Sequence, residues 1–178
     1  ASTLLFVSSI FDSTTVVGGT NPSTLFGGAN SSITFFGTTG AGTLAAAGGN
    51  ETLNAAGSRT NNILYAGDTN AGGTPNTELL GGSGNDTLVA GTGNDTMAGG
   101  AGDNLFLFIH GQAGGTDVIS DFNSNDLLFL SGYGSAAGAN ALASATVSGG
   151  VTTIALSDNT KITFQNVTVP NSIHTFST

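Results

Sequence analysis

Between Gly81 and Leu107 the chain repeats itself every nine residues: GGSGNDTLV, AGTGNDTMA, GGAGDNLFL. No other stretch limits the fold as strongly. A unit with a turn of small residues and one large apolar side chain (Leu88, Met97 or Phe106) buries almost nothing alone. Such units must stack, each covering its neighbour's apolar residue. A flexible glycine linker has no reason to hold Leu88, Met97 and Phe106 in register, or Asp86 and Asp95.

One unit shows the chemistry. In Gly81–Val89 the glycines at positions one, two and four let the backbone turn sharply and bring carbonyls together. Asp86, at position six, ends the turn and adds a carboxylate. Carbonyl and carboxylate oxygens are the hard ligands that Ca²⁺ prefers. Thr87, Leu88 and Val89 then form a very short strand, with Leu88, at position eight, pointing inward.

The pattern G-G-x-G-x-D-x-U-x, with U a large apolar residue, resembles the calcium-binding nonapeptide repeat of the RTX family. The resemblance implies an all-β fold: a right-handed parallel β-roll, two repeats per coil, with Ca²⁺ between turns two repeats apart. It implies ligands from the turns, namely Gly81, Ser83, Asp86, Thr92, Asp95, Gly99 and Ala101. Asn104 takes the aspartate position of the third unit, with Asp103 one residue early, so that site is expected to be weaker. The segment 114–134, GGTDVISDFNSNDLLFLSGYG, resembles the one that follows the last RTX repeats in secreted bacterial proteins. Asp117 and Asp121 match its acidic positions and join the ligand set; Asp126 reads as the end of a turn.

The beat extends toward the N-terminus in degraded form. Aligning position eight gives Leu25, Phe35, Leu44, Leu53, Leu64, Leu79, Leu88, Met97 and Phe106, with gaps of 10, 9, 9, 11, 15, 9, 9 and 9. The gap of 15 predicts a loop inserted at Gly67–Ala71, with Asp68 on its surface. The aspartate position holds Ser23, Glu51, Asn62 and Thr77, so the early coils are expected to stand mainly on apolar stacking with little calcium.

Three segments follow: an N-terminal strand segment 1–17, a roll 18–108 that binds calcium mainly from 81 onward, and a C-terminal cap 109–178. The first is read either as a cap on the first coil or as an arm that assembles with another subunit. Residues 135–146 read as a short helix or a loop. Thr152–Leu156 and Lys161–Phe164 flank SDNT, which predicts a hairpin in an antiparallel cap closing the roll. Ile154, Leu156, Ile162 and Phe164 face inward, and the tail NSIHTFST is a candidate secretion signal.

Composition restricts function. Only 7% of the residues are charged, with eleven acidic residues against Arg59 and Lys161, for a net charge of −9. That argues against nucleic acid and anionic membranes and favours a divalent cation. A surface so poor in charge is weakly protected against self-association. There is no cysteine, so the expected staple is calcium in place of disulfides. No apolar run is long enough to span a membrane as a helix, and ASTLLFV lacks the basic start of a secretory signal. His110 and His174 stand far apart, with His110 read as a solvent-facing turn residue, and no catalytic motif is present.

These features point to a secreted, non-enzymatic calcium-binding protein that self-assembles as a surface layer, filament or biofilm matrix. The resemblance implies export by type I machinery to the exterior of a bacterium. Extracellular calcium modules have affinities of about 10⁻⁴ to 10⁻³ M, so inside the cell the sites would be largely empty. Two alternatives stand beside this reading: an adhesin or binding module, and the C-terminal secretion and folding module of a larger exported enzyme.

Overall fold

The computed structural model describes residues 3–6, 13–28, 30–67, 76–165, 167–168 and 173–178, with 3–6 described by backbone alone. They wind into an all-β parallel solenoid of about six turns. Successive strands alternate between two sheets. The front sheet runs β1 (Thr3–Phe6), β3 (Ser23–Phe26), β5 (Gly42–Ala45), β7 (Ile63–Tyr65), β9 (Thr87–Val89), β11 (Leu105–Ile109), β13 (Leu127–Ser131) and β17 (Thr175–Ser177). The back sheet runs β2 (Ser13–Val17), β4 (Ser32–Phe36), β6 (Glu51–Asn54), β8 (Thr77–Gly82), β10 (Thr96–Gly100), β12 (Thr116–Ile119), β16 (Lys161–Phe164), β15 (Val151–Ala155) and β14 (Thr146–Ser148).

Position eight builds the core. In the front sheet Leu25, Leu44, Leu64, Leu88, Phe106 and Leu128 lie rung over rung. In the back sheet Ile33, Leu53, Leu79, Met97, Ile119 and Phe164 do the same. All twelve are buried, so two apolar columns face each other through the length of the roll. Parallel pairing keeps like residues adjacent, which is why a nine-residue beat suffices to define the core.

The register corrects one alignment. Ile33, not Phe35, stacks on Leu53, while Phe35 pairs with Val16 two residues further along. Both side chains are fully buried, because residues two apart on a strand share a face. Alternation alone therefore does not choose between them. The polar run Asn30-Ser31-Ser32 before Ile33, parallel to Asn85-Asp86-Thr87 before Leu88, does.

The roll is also longer than 18–108. Strands β1 and β2 pair in parallel with β3 and β4, so the described part of 1–17 forms the first rungs. Beyond 108, β12 and β13 continue both ladders, and β16 and β17 rejoin them in parallel. The boundary at 109 fails because a parallel edge accepts any later strand with matching alternation. The antiparallel part is β14–β15–β16, whose 156–160 turn holds Asn159 at φ 71. Ile154, Leu156, Ile162 and Phe164 are buried as expected, and the alanine-rich segment forms a helix, α1 (Ala137–Ala143). Most of the insertion expected at Gly67–Ala71, Asp68 included, lies outside the described residues.

Truncating Leu88 leaves a void inside a closed column. Leu88→Ala is expected to cost about 2–5 kcal/mol in urea unfolding, whereas Thr87→Ala, at a partly buried position on the outer face, costs roughly 0.5 kcal/mol or less.

Candidate metal sites

The turns fall on two edges of the roll. Those that lead into front strands (81–86, 99–104, 120–126) form the first edge; those that lead into back strands (90–95, 110–117) form the second. The ten ligand candidates divide accordingly. Gly81, Ser83, Asp86, Gly99, Ala101, Asn104 and Asp121 lie on the first edge, and Thr92, Asp95 and Asp117 on the second.

Glycine is required where the turns touch. Gly100 and Gly102 have φ of +84° and +104°, and a Cβ on either would run into the carbonyl oxygen of Gly82 or Gly84 in the coil before. Over Gly81, a Cβ would lie 2.5 Å from the Gly99 oxygen and 2.7 Å from Asp86 Oδ2. A bare Cα thus lets a carbonyl and a carboxylate oxygen from neighbouring coils converge.

Two side-chain ladders then pin the coils. At position six, the side chain of a later coil accepts the N–H of the same position one coil earlier from Asn62 onward on the first edge and from Asp95 onward on the second. Gly42 donates to Asn62, Asn62 to Asp86, Asp86 to Asn104 and Asn104 to Asp126, at 3.0, 2.6, 3.0 and 2.8 Å. On the second edge Thr77 donates to Asp95 and Asp95 to Asp117, at 3.0 and 2.9 Å. At position five the direction reverses. Asn85 N–H donates to Asn61, Asp103 to Asn85 and Thr116 to Asn94. Asp126, read from sequence as the end of a turn, is therefore a member of the first column. Its signature, Asn125-Asp126-Leu127-Leu128, echoes Asn85-Asp86-Thr87-Leu88.

The remaining carboxylate oxygens decide where a cation fits. Asp86 Oδ2 and Asp117 Oδ2 are buried and have no hydrogen-bond partner. Asp95 spends its second oxygen on the Gly91 N–H, at 2.9 Å. Asp121 accepts the N–H groups of Gly99 and Gly100 with its two oxygens, at 2.9 and 2.7 Å, and so caps the 99–104 turn. Burial without a cation pushes the Asp86 carboxyl up to about 6. Burial pushes Asp117 up to about 8, and the charge of Asp95 beneath adds to the push. Burial also raises Glu51, Asp95 and Asp126.

A buried carboxylate oxygen facing turn carbonyls suits Ca²⁺, which takes six to eight oxygens in flexible geometry. Among the described residues no three His, Cys, Asp or Glu side chains cluster as a metal site. Backbone carbonyls would have to supply most of the ligands. His110 is exposed in its turn and packs edge-on against Tyr133, with ring centroids 5.0 Å apart.

Comparison with known families agrees with this geometry. Residues 72–107 match the RTX calcium-binding nonapeptide repeat, in four copies. No curated protein matches the chain. RTX repeats bind calcium, and they are typical of secreted bacterial proteins exported by type I machinery. No helix among the described residues is long and apolar enough to cross a membrane.

The raised carboxyls set a pH dependence. Each stabilises the calcium-free fold most when protonated. That contribution is complete below the ordinary value of 3.8 and is lost as pH rises through about 6 for Asp86 and about 8 for Asp117. In chelator the protein is therefore expected to melt at a higher temperature near pH 5 than near pH 8.5. Calcium is expected to raise the melting temperature more at the higher pH. Calorimetric scans at both pH values check this, and an unchanged or reversed order contradicts it.

Proposed function

We propose that this chain, which carries RTX calcium-binding nonapeptide repeats, is a non-catalytic structural protein that folds on calcium outside the cell and assembles with copies of itself. The ligands we assign are Asp86 with carbonyls among Gly81, Ser83, Gly99 and Ala101 on the first edge. On the second edge they are Asp117 and the Thr92 carbonyl, and Asp95, whose two oxygens accept N–H groups, adds charge beside them. Millimolar calcium outside the cell would fill such sites, and binding to the native state alone would drive folding there.

The observation that carries self-assembly is the outer face of the front sheet. Ala45, Tyr65, Val89, Leu107, Phe129 and Phe176 line up in register along it, with Val89 itself buried between its neighbours. Beside them run Thr43, Ile63, Thr87, Leu105 and Leu127. Neither column holds a charged residue, in a chain of net charge −9. Tyr65 and Phe176 are 40% and 56% exposed. A like-charged copy meets no repulsion on this face itself. Eight strands about 4.8 Å apart, each roughly 15 Å long, present on the order of 500 Å² per copy. Two copies face to face would bury about 1,000 Å², near the lower bound for a specific interface.

Sedimentation velocity in millimolar calcium, paired with electron microscopy, tests the reading. The unaltered chain is expected to form dimers or larger species, and a Tyr65→Glu, Phe176→Glu double variant to remain monomeric with unchanged calcium-dependent melting. A chain that stays monomeric in calcium at every concentration removes the proposal.

A further inference from the structure

The position-six side chains of Asn62, Asp86, Asp95, Asn104, Asp117 and Asp126 each have one atom in the ladder and one atom to spare. What meets the spare atom differs from coil to coil. Asn62 Nδ2 donates to the Thr60 carbonyl at 2.7 Å and to Asp86 Oδ1 at 3.0 Å, with the Gly81 carbonyl 3.5 Å away. Asn104 Nδ2 faces the carbonyls of Gly100 and Gly102, each at 3.5 Å. Thr77 gives its hydroxyl to the Ala66 carbonyl at 3.1 Å. Glu51, Asp95 and Asp126 have carboxylates instead, and each accepts an N–H of its own turn, from Gly48, Gly91 and Asn123. In the columns, the carboxylate oxygens left without a partner are those of Asp86 and Asp117.

The amide orientations are fixed by the ladder itself. Asn62 Oδ1 accepts the Gly42 N–H, and Asn104 Oδ1 accepts the Asp86 N–H, so each nitrogen must turn toward oxygens. Asn104 Nδ2 and Asp86 Oδ2 occupy equivalent places. Each lies against the glycine five residues earlier, 2.5 Å from a Cβ built on Gly99 and 2.7 Å from one built on Gly81. Turn carbonyls that converge need something positive between them. Around Asn62 and Asn104 the –NH₂ group supplies it without a formal charge. At Asp86 and Asp117 the spare atom is an oxygen without a hydrogen-bond partner.

We propose that the amides of Asn62 and Asn104 stand in for bound calcium, so that their turns close without metal and the chain takes up one ion at Asp86 and one at Asp117. Asp95 then contributes charge beside the second ion, with both of its oxygens already held by N–H groups. Where the turn offers the spare atom no N–H, that single atom, nitrogen or oxygen, sets whether a coil depends on calcium.

Calcium titration calorimetry and thermal melting of the full chain test this through three variants. The unaltered chain is expected to bind two ions. Asn104→Asp is expected to gain one ion, to melt at a lower temperature in chelator near pH 8, and to recover in calcium. Asp86→Asn is expected to lose one ion yet melt in chelator at or above the unaltered chain. Asp86→Ala, which has no donor, is expected to lose the ion and melt below Asp86→Asn. Three results overturn the proposal: an Asn104→Asp chain that gains no ion or does not fold in calcium; an Asp86→Asn chain that melts in chelator no higher than Asp86→Ala; or an unaltered chain that binds more than two ions.

Discussion

The structure depends on the hydrogen bond between a position-six side chain and the N–H of position six one coil earlier. At that residue the backbone leaves the turn and enters the strand. Its carbonyl finds a partner in the next coil, as when Thr87 N–H donates to Asn62 and Leu105 N–H to Asp86. At Asn62, Asp86, Asp95 and Asn104 its N–H has none among the backbone carbonyls. A buried N–H left so would cost about 1–3 kcal/mol per coil. The side chain of the next coil supplies the acceptor, and only when the coils are in register. Position five repeats the device in the opposite direction. Two ladders of opposite sense make a one-residue slip break bonds on both, which explains how a roll of short strands holds one register.

The same device creates the need for a cation. An oxygen pair can meet one N–H from below and still point a second oxygen into a crowd of carbonyls. Where the turn offers an N–H, as Gly91 does to Asp95, the carboxylate is satisfied within the protein. Where it does not, as at Asp86 and Asp117, burial drives the carboxyl toward its protonated form. Calcium bound at those turns would stabilise the roll by replacing that proton. The early coils, with Asn62, Thr77 and Glu51 in the column, have no such demand.

Much of this is legible in the sequence, for a specific reason. In a parallel roll the residues that touch are those at the same position of the repeat. Leu88, Met97 and Phe106 announce the core by spacing alone, and Asp86 and Asp95 announce the column beside it. Partners that sit in the repeat but answer to backbone are harder to see. The asparagines at position five look like repetition, yet their acceptors hold the next coil. Asp126 is hidden by a spacing of 22 residues from Asn104, stretched by a longer turn around Phe122. Ile33 is hidden because Phe35 shares its face and is larger. The return of β16 beside β12 is hidden most deeply. Alternation reads the same for parallel and antiparallel strands, and a helix and a hairpin intervene.

Calcium is expected to act on the Asp86 and Asp117 turns and to leave the earlier coils to their own side chains. Hydrogen exchange in calcium and in chelator addresses it most directly. On chelation, amides of residues 81–121 are expected to lose protection first, while those of β3 through β7 keep theirs. Equal protection of 81–121 with and without calcium contradicts the account, as does a uniform loss along the whole roll.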